Sequence, residues 1–203
     1  MRIGIALLPI LAIAATVVDL AGRGVLNPVN FFSYFTIQSN LIGVAAFLLA
    51  ATSPNPTRGI DLLRGASVVY LSVTFVVFAL LLSGTNVDTA MNWVDFILHK
   101  LFPIAVVVDW LIDPPRRRIT PREAVGWLAY PLVWVAYTLI RGPIAKWYPY
   151  PFIDPANGGY ATVAAYVVGI VIFGILVIAL IAGVGNALRG GRPPQDVVEP
   201  VRS

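Results

Sequence analysis

Two clusters of side chains carry most of the reactive chemistry of this 203-residue chain. The first is "NFFSYFTIQSNLIG", Asn30 to Gly43, which gathers Thr36, Gln38, Ser39 and Asn40 within one and a half helical turns at the start of an apolar run. The second is "WVDFILHKLFP", in which Asp95 and His99 stand four residues apart and Pro103 follows four later. Residues at that spacing share a helical face, so a carboxylate at 95 can hold one imidazole nitrogen and decide which nitrogen carries the proton. Pro103 has no N–H, so an ordinary helix would leave the His99 carbonyl without its donor and kink there. A threonine hydroxyl is a weak nucleophile until a base removes its proton, and histidine is the usual base near neutral pH. His99 is the only histidine in the chain. By type, Thr36 is a hydroxyl, His99 a base that Asp95 could orient, and Asn40, Gln38 and Arg141 are hydrogen-bond donors; which of them act together is not set by spacing. Ser33 and Ser39 are alternative hydroxyls. A structural alternative has Thr36 bonded to its own helix and Asp95–His99 serving as a link between helices.

Such polar groups need elements to position them, and composition says what those are. Hydrophobic residues make up 58% of the chain and charged residues 12%, with mean hydropathy +0.82, a balance that a soluble domain with a polar surface does not sustain. An all-α integral membrane protein is expected, because lipid satisfies no backbone group. Six apolar segments, 3–22, 32–51, 64–83, 92–112, 122–141 and 158–188, each reach the ~20 residues a helical span requires. They form one six-helix transmembrane domain, 1–188, followed by a short disordered cytoplasmic tail, 189–203. The breaks "ATSPNPTRG", "SGTNVDTAMN", "DPPRRRITPR" and "KWYPYPFIDPANGG" have turn chemistry, and their lengths imply antiparallel neighbours. The first segment follows Arg2 as a signal peptide would, but no small-x-small cleavage pattern comes after it, so it reads as a retained helix.

Charge sets the expected orientation. With the N-terminus inside, Arg2, Arg58, Arg64, Arg116, Arg117, Arg118, Arg122, Arg189, Arg192 and Arg202 are cytoplasmic, whereas Arg23, Arg141 and Lys146 are external. Ten against three is a strong positive-inside bias, and it places both termini in the cytoplasm. The same basic residues, scattered in short loops, exclude a nucleic-acid role for the +4 net charge. Orientation converts position into depth: Asp19, Thr36, Ser39, Asn40, Asp95, His99 and Arg141 all fall in the outer half, and the inner half offers chiefly Asp109 and Asp113. A shared polar cavity opening outward follows. Lys100 is expected to snorkel. Trp93, Trp147, Tyr148 and Tyr150 are expected in the outer aromatic belt, Trp110 and Trp127 in the inner one.

The motifs "NFFSYFTIQSN", "HKLFP" and "LAYPLVWVAYTLIRGPIAKWYPYPFID" resemble those of a group of small bacterial six-span membrane proteins of largely unknown function, over nearly the whole chain from Asp19. More distantly the pattern is similar to the eukaryotic androgen-induced and ADTRP membrane hydrolases, which cleave fatty acid esters of hydroxy fatty acids with an intramembrane threonine and histidine. That resemblance implies a threonine-dependent ester hydrolase in the plasma (inner) membrane, with Thr36 and His99 catalytic and Trp147 to Phe152 matching a conserved-type Trp/Tyr-Pro-Phe segment. Membrane lipid and a lipid ester or small molecule are the implied partners. The alternative is a protein that binds or transports a small or lipidic ligand through the same cavity without reaction. No cofactor is expected: one histidine and scattered carboxylates fall short of a catalytic metal set, the lone histidine excludes bis-histidine haem, and no cysteine is present for thiolate chemistry. Oligomeric state has no signal in the sequence.

Overall fold

The computed structural model describes residues 1–82 and 91–189. Among them the chain is helical throughout, in nine α-helices: α1 Arg2–Gly22, α2 Pro28–Ser33, α3 Phe35–Thr52, α4 Arg58–Val77, α5 Asn92–Phe96, α6 Phe102–Ile112, α7 Pro121–Gly126, α8 Ala129–Ala145 and α9 Gly159–Arg189. Loop chemistry starts them. Asn27 caps α2 by accepting the Asn30 N–H with Pro28 in the first turn, Thr57 caps α4 through Ile60 N–H, and Thr120 with Glu123 forms a capping box on α7.

Five helical segments among the described residues are long and apolar enough to cross a membrane: Arg2–Gly22, Phe35–Thr52, Arg58–Leu82, Pro121–Ala145 and Gly159–Arg189. The chain is thus a helical membrane protein. The expected fourth span, 92–112, is also helical without a break, through α5, a widened π-helical turn Ile97–Leu101, and α6. It carries Asp95, Lys100 and Asp109, which make it too charged to qualify on composition alone. The expected segment 64–83 starts earlier, at Arg58, and runs from α4 into a second π-helical turn, Phe78–Leu82; its last residue lies outside the described ones. So does the tail 189–203, except for Arg189, which closes α9.

The second expected span, 32–51, is divided. Tyr34 is extended, with φ −65° and ψ 127°, and separates α2 from α3. The break is held by one local and one distant contact: Ser33 Oγ donates to Val29 O, four residues back, at 2.6 Å, and Trp134 Nε1 donates to Ser33 O at 2.9 Å. Thr36 consequently sits in the first turn of α3, not deep within a span.

At the end of the bundle that carries Arg2, the proximal end, five charged side chains from three parts of the chain meet. Arg2 Nε donates to Asp109 Oδ1 at 2.6 Å and its Nη2 to Asp113 Oδ2 at 2.6 Å; Arg64 Nη2 donates to Asp109 Oδ2 at 2.9 Å and lies 3.6 Å, through Nη1, from Asp61 Oδ1. Asp61 also accepts the Arg116 backbone N–H. Asp61 and Arg64 are each 2% exposed, so Arg64 is an interior cation and not a loop residue, and the proximal half is far from apolar. Trp110 and Trp127 are interior too, donating to Ile181 O and Leu62 O, which removes them from any interfacial belt.

Candidate functional site

Thr36, at the start of α3, and His99, in the π-helical turn before α6, line one cavity of about 250 Å3 at the distal end of the bundle. The two π-helical turns meet there. The Phe78 ring from the first lies flat on the His99 imidazole from the second, with ring centroids 3.9 Å apart and planes 17° from parallel. Such turns expose backbone and re-aim side chains, which is why they gather at functional sites. His99 Nδ1 stands 2.8 Å from Asp95 Oδ1. The approach is close but not aligned as a hydrogen bond, and Nδ1 has no hydrogen-bond partner among the described residues, so Asp95 neighbours the imidazole without selecting its tautomer. Asp95 itself does not line the cavity.

The hydroxyl of Thr36 does not bond to its own helix, as those of Thr16 and Thr52 do, and it makes no hydrogen bond with His99. Its partner is Tyr150: Oγ1 is 3.2 Å from the phenolic oxygen, which also accepts the Thr36 backbone N–H at 3.1 Å. Position explains this. The first N–H groups of a helix have no partner within it, and the Thr36 amide is one of them. Tyr150 is 6% exposed, so it is an interior residue and not part of an outer belt. Burial, the largest cause, pushes its hydroxyl up to about 12, so it stays a neutral phenol that can donate to an oxygen but not act as a base. Its ring is stacked on Phe152, in the short 3-10 turn Pro151–Ile153, with centroids 5.3 Å apart.

The other expected site residues lie elsewhere. Asn40 is fully buried and donates to Thr36 O at 2.8 Å and to Leu98 O at 3.2 Å, which commits both amide hydrogens to backbone and leaves none for an oxyanion. Ser39 Oγ contacts Thr36 O and Thr74 Oγ1 at 3.1 and 3.2 Å, behind the cavity wall. Gln38 donates to Phe32 O at 2.7 Å and accepts from the Tyr130 hydroxyl. Asp19 pairs with Arg23 at 3.3 Å on a half-exposed helix end. Arg141 donates to Asn30 Oδ1 and lies 5.4 Å from the Trp147 ring, so it meets the cavity only through two residues that line it. With its oxygen taken, Asn30 keeps its Nδ2 as the donating end.

Sequence reasoning missed Tyr150, Asn30 and Phe78 as members of the site. Only Tyr150 had a signal, in its segment "WYPYPF", and its aromatic character pointed to an interface instead. Thr36, Tyr150, Phe78 and Leu82 also line a second, almost wholly apolar slot of about 100 Å3 between α4, α8 and α9. The Thr36 hydroxyl thus stands where a polar chamber meets an apolar one. No protein-family model, curated protein or solved structure matches the chain.

Proposed function

We propose that this protein hydrolyses fatty acyl esters within the membrane, with Thr36 as nucleophile and His99 as general base. The observation that carries the reading is the shared cavity: the one histidine, its Nδ1 2.8 Å from the Asp95 carboxylate, lines the same space as a helix-terminal threonine at the edge of an apolar slot. His99 Nε2 takes the Thr36 hydroxyl proton as Oγ1 attacks the ester carbonyl. The tetrahedral intermediate expels the alcohol, which leaves with the proton from His99. Water activated by the same nitrogen then attacks the acyl-threonine, releasing the fatty acid and restoring the hydroxyl. Tyr150, as a neutral phenol beside Oγ1, lowers the cost of negative charge on that oxygen, and Asn30 Nδ2 is one of several side-chain donors lining the chamber, with Arg23, Asn27 and Trp147. The resemblance of Thr36, His99 and the Trp147–Phe152 segment to the androgen-induced and ADTRP hydrolases supports the same assignment.

The accompanying topology is six spans with 92–112 as the fourth, both termini cytoplasmic, and the cavity opening outward in the plasma membrane. Its support is the positive-inside count, together with the ion pairs that neutralise Asp109 at the end of the 92–112 helix. Burial of an isolated charge there would be prohibitive; a paired one is tolerated.

The deciding experiment measures turnover of long-chain acyl esters by the purified protein. Thr36→Ala and His99→Ala are each expected to fold and to lose ~10²-fold or more, with the double variant little worse than either, as a nucleophile and its base behave. A fully active Thr36→Ala ends the hydrolase reading. One observation favours a second reading, ligand binding without reaction: the Thr36 hydroxyl is engaged by Tyr150 and not by His99. In that case a lipid retained through purification is lost on substitution of His99 or Asp95, with no ester cleaved.

A further inference from the structure

We propose that the slot between α4, α8 and α9 holds a single unbranched acyl chain, and that Gly174 sets how long a chain it accepts. The inference rests on the ester-hydrolase reading only for what sits at the polar end; the slot can be tested without turnover.

The slot starts at Thr36 and Tyr150 and descends between α4 and α9 to Trp127 and Ile178. Along α9 its lining runs from Val167 to Ile178, a rise of roughly 16 Å. About 100 Å3 spread over that length is a narrow channel, suited to a straight alkyl chain and too thin for a fused-ring body such as a sterol. The 250 Å3 chamber is wider and carries the polar side chains, among them Arg23, Asn27, Asn30 and His99, that suit a head group. An ester with its carbonyl at Thr36 would therefore send its two ends into different spaces. Val77 and Ile170 border both the slot and a larger open apolar cleft between the end of α4 and the first half of α9, so the slot lies next to a face open to the bilayer.

Gly174 is the independent sign that the slot is kept open. The other buried glycines are small because something presses on them: a Cβ at Gly185 would come within 2.8 Å of the Trp110 ring, and one at Gly65 within 2.4 Å of Trp127. Gly174 is buried, yet a Cβ there meets nothing within 4 Å. Its backbone is helical, so a turn does not require it either, and glycine in a helix interior is unfavourable. The space beside it is filled by no part of this protein, and it lies part-way down the slot.

The test is photolabelling in lipid nanodiscs with fatty acid esters that carry a diazirine at the chain terminus, in octanoyl and palmitoyl lengths. The Thr36→Ala protein is used throughout so that no turnover intervenes. The palmitoyl probe is expected to mark the slot-lining residues Val171, Gly174 or Ile178 of α9, or the facing Trp127 and Leu128. In Gly174→Phe its capture should fall by roughly tenfold or more, the effect of expelling about two methylenes from an apolar site, while capture of the octanoyl probe is retained. Gly174→Leu repeats the comparison should the phenylalanine variant not fold. Labelling confined to lipid-facing residues such as Ile172 and Leu176, or palmitoyl capture unchanged in a folded Gly174 variant, overturns the proposal. Slot labelling by a protein that cleaves no ester leaves the slot standing and removes only the hydrolase.

Discussion

The side-chain amide of Asn40 donates to the carbonyl of Leu98 at 3.2 Å, in the place of an N–H that Pro103 cannot supply. In the π-helical turn Ile97–Leu101 each donor reaches back five residues, as Phe102 N–H does to Ile97 O. The carbonyl orphaned by Pro103 is therefore that of Leu98, and not that of His99 as four-residue spacing implies. One polar side chain of α3 thereby fastens the turn that presents His99, and also accounts for the carbonyl of Thr36.

Replacing Asn40 with Leu should consequently destabilise the protein by about 1–3 kcal/mol, since two buried carbonyls lose a donor. Thermal unfolding in detergent measures it. In Pro103→Ala a backbone N–H returns, so the double variant is expected to lose less than the two single losses together. Strict additivity would show that Asn40 and Pro103 are not coupled.

Tyr150→Phe removes the only hydrogen-bond partner of the Thr36 amide and hydroxyl among the described residues. A cost of about 1–3 kcal/mol is expected from the unpaired N–H, with ester turnover reduced if the hydroxyl supports charge on Oγ1. The pH dependence has a definite sign. Because burial raises the phenol from 10.0 to about 12 in the folded protein, its contribution is intact below pH 10 and is lost as pH climbs toward 12. Unfolding curves of the wild type across that window should therefore show a fall in stability that is smaller in Tyr150→Phe; identical pH profiles would contradict the assignment.

The proximal ion cluster should tolerate loss of one charge badly. Arg64→Met leaves Asp61 and Asp109 short of a partner in an interior site, for a loss of about 3–5 kcal/mol. Loss of folded protein, read by size-exclusion profile and thermal midpoint, is the expected result. The exposed pair Asp19–Arg23 is the control: Arg23→Gln should shift the midpoint little.

Orientation can be measured directly, because the chain has no cysteine of its own. Single cysteines at Asn157 and at Arg117, both exposed, should differ in intact cells: an impermeant thiol reagent is expected to modify the first and spare the second. The opposite pattern would place the Thr36 cavity on the cytoplasmic side.

What the sequence determined by itself is the class of molecule and which side chains are candidates for a site. Apolar run length is a property of composition, so most helical segments emerged with edges displaced by a few residues, whereas the division of 32–51 at Tyr34 did not. The Asp95–His99 contact is a local i, i+4 relation and needs no knowledge of other helices. Which groups face one another did not follow. Asn40, Gln38 and Arg141 are donors by type, and only the neighbouring helices show that Leu98 O, Phe32 O and Asn30 already hold them. Tyr150 reaches Thr36 across 114 positions of chain, a separation at which no periodicity carries information. Arg64 looked like a topology signal because its partners Asp109 and Asp113 come from a distant helix end. The break at Tyr34 and the two π-helical turns depend on where foreign side chains supply or remove hydrogen bonds. Contacts between separate helices are set by packing of the whole bundle, and that geometry made a polar cavity and an apolar slot meet at Thr36.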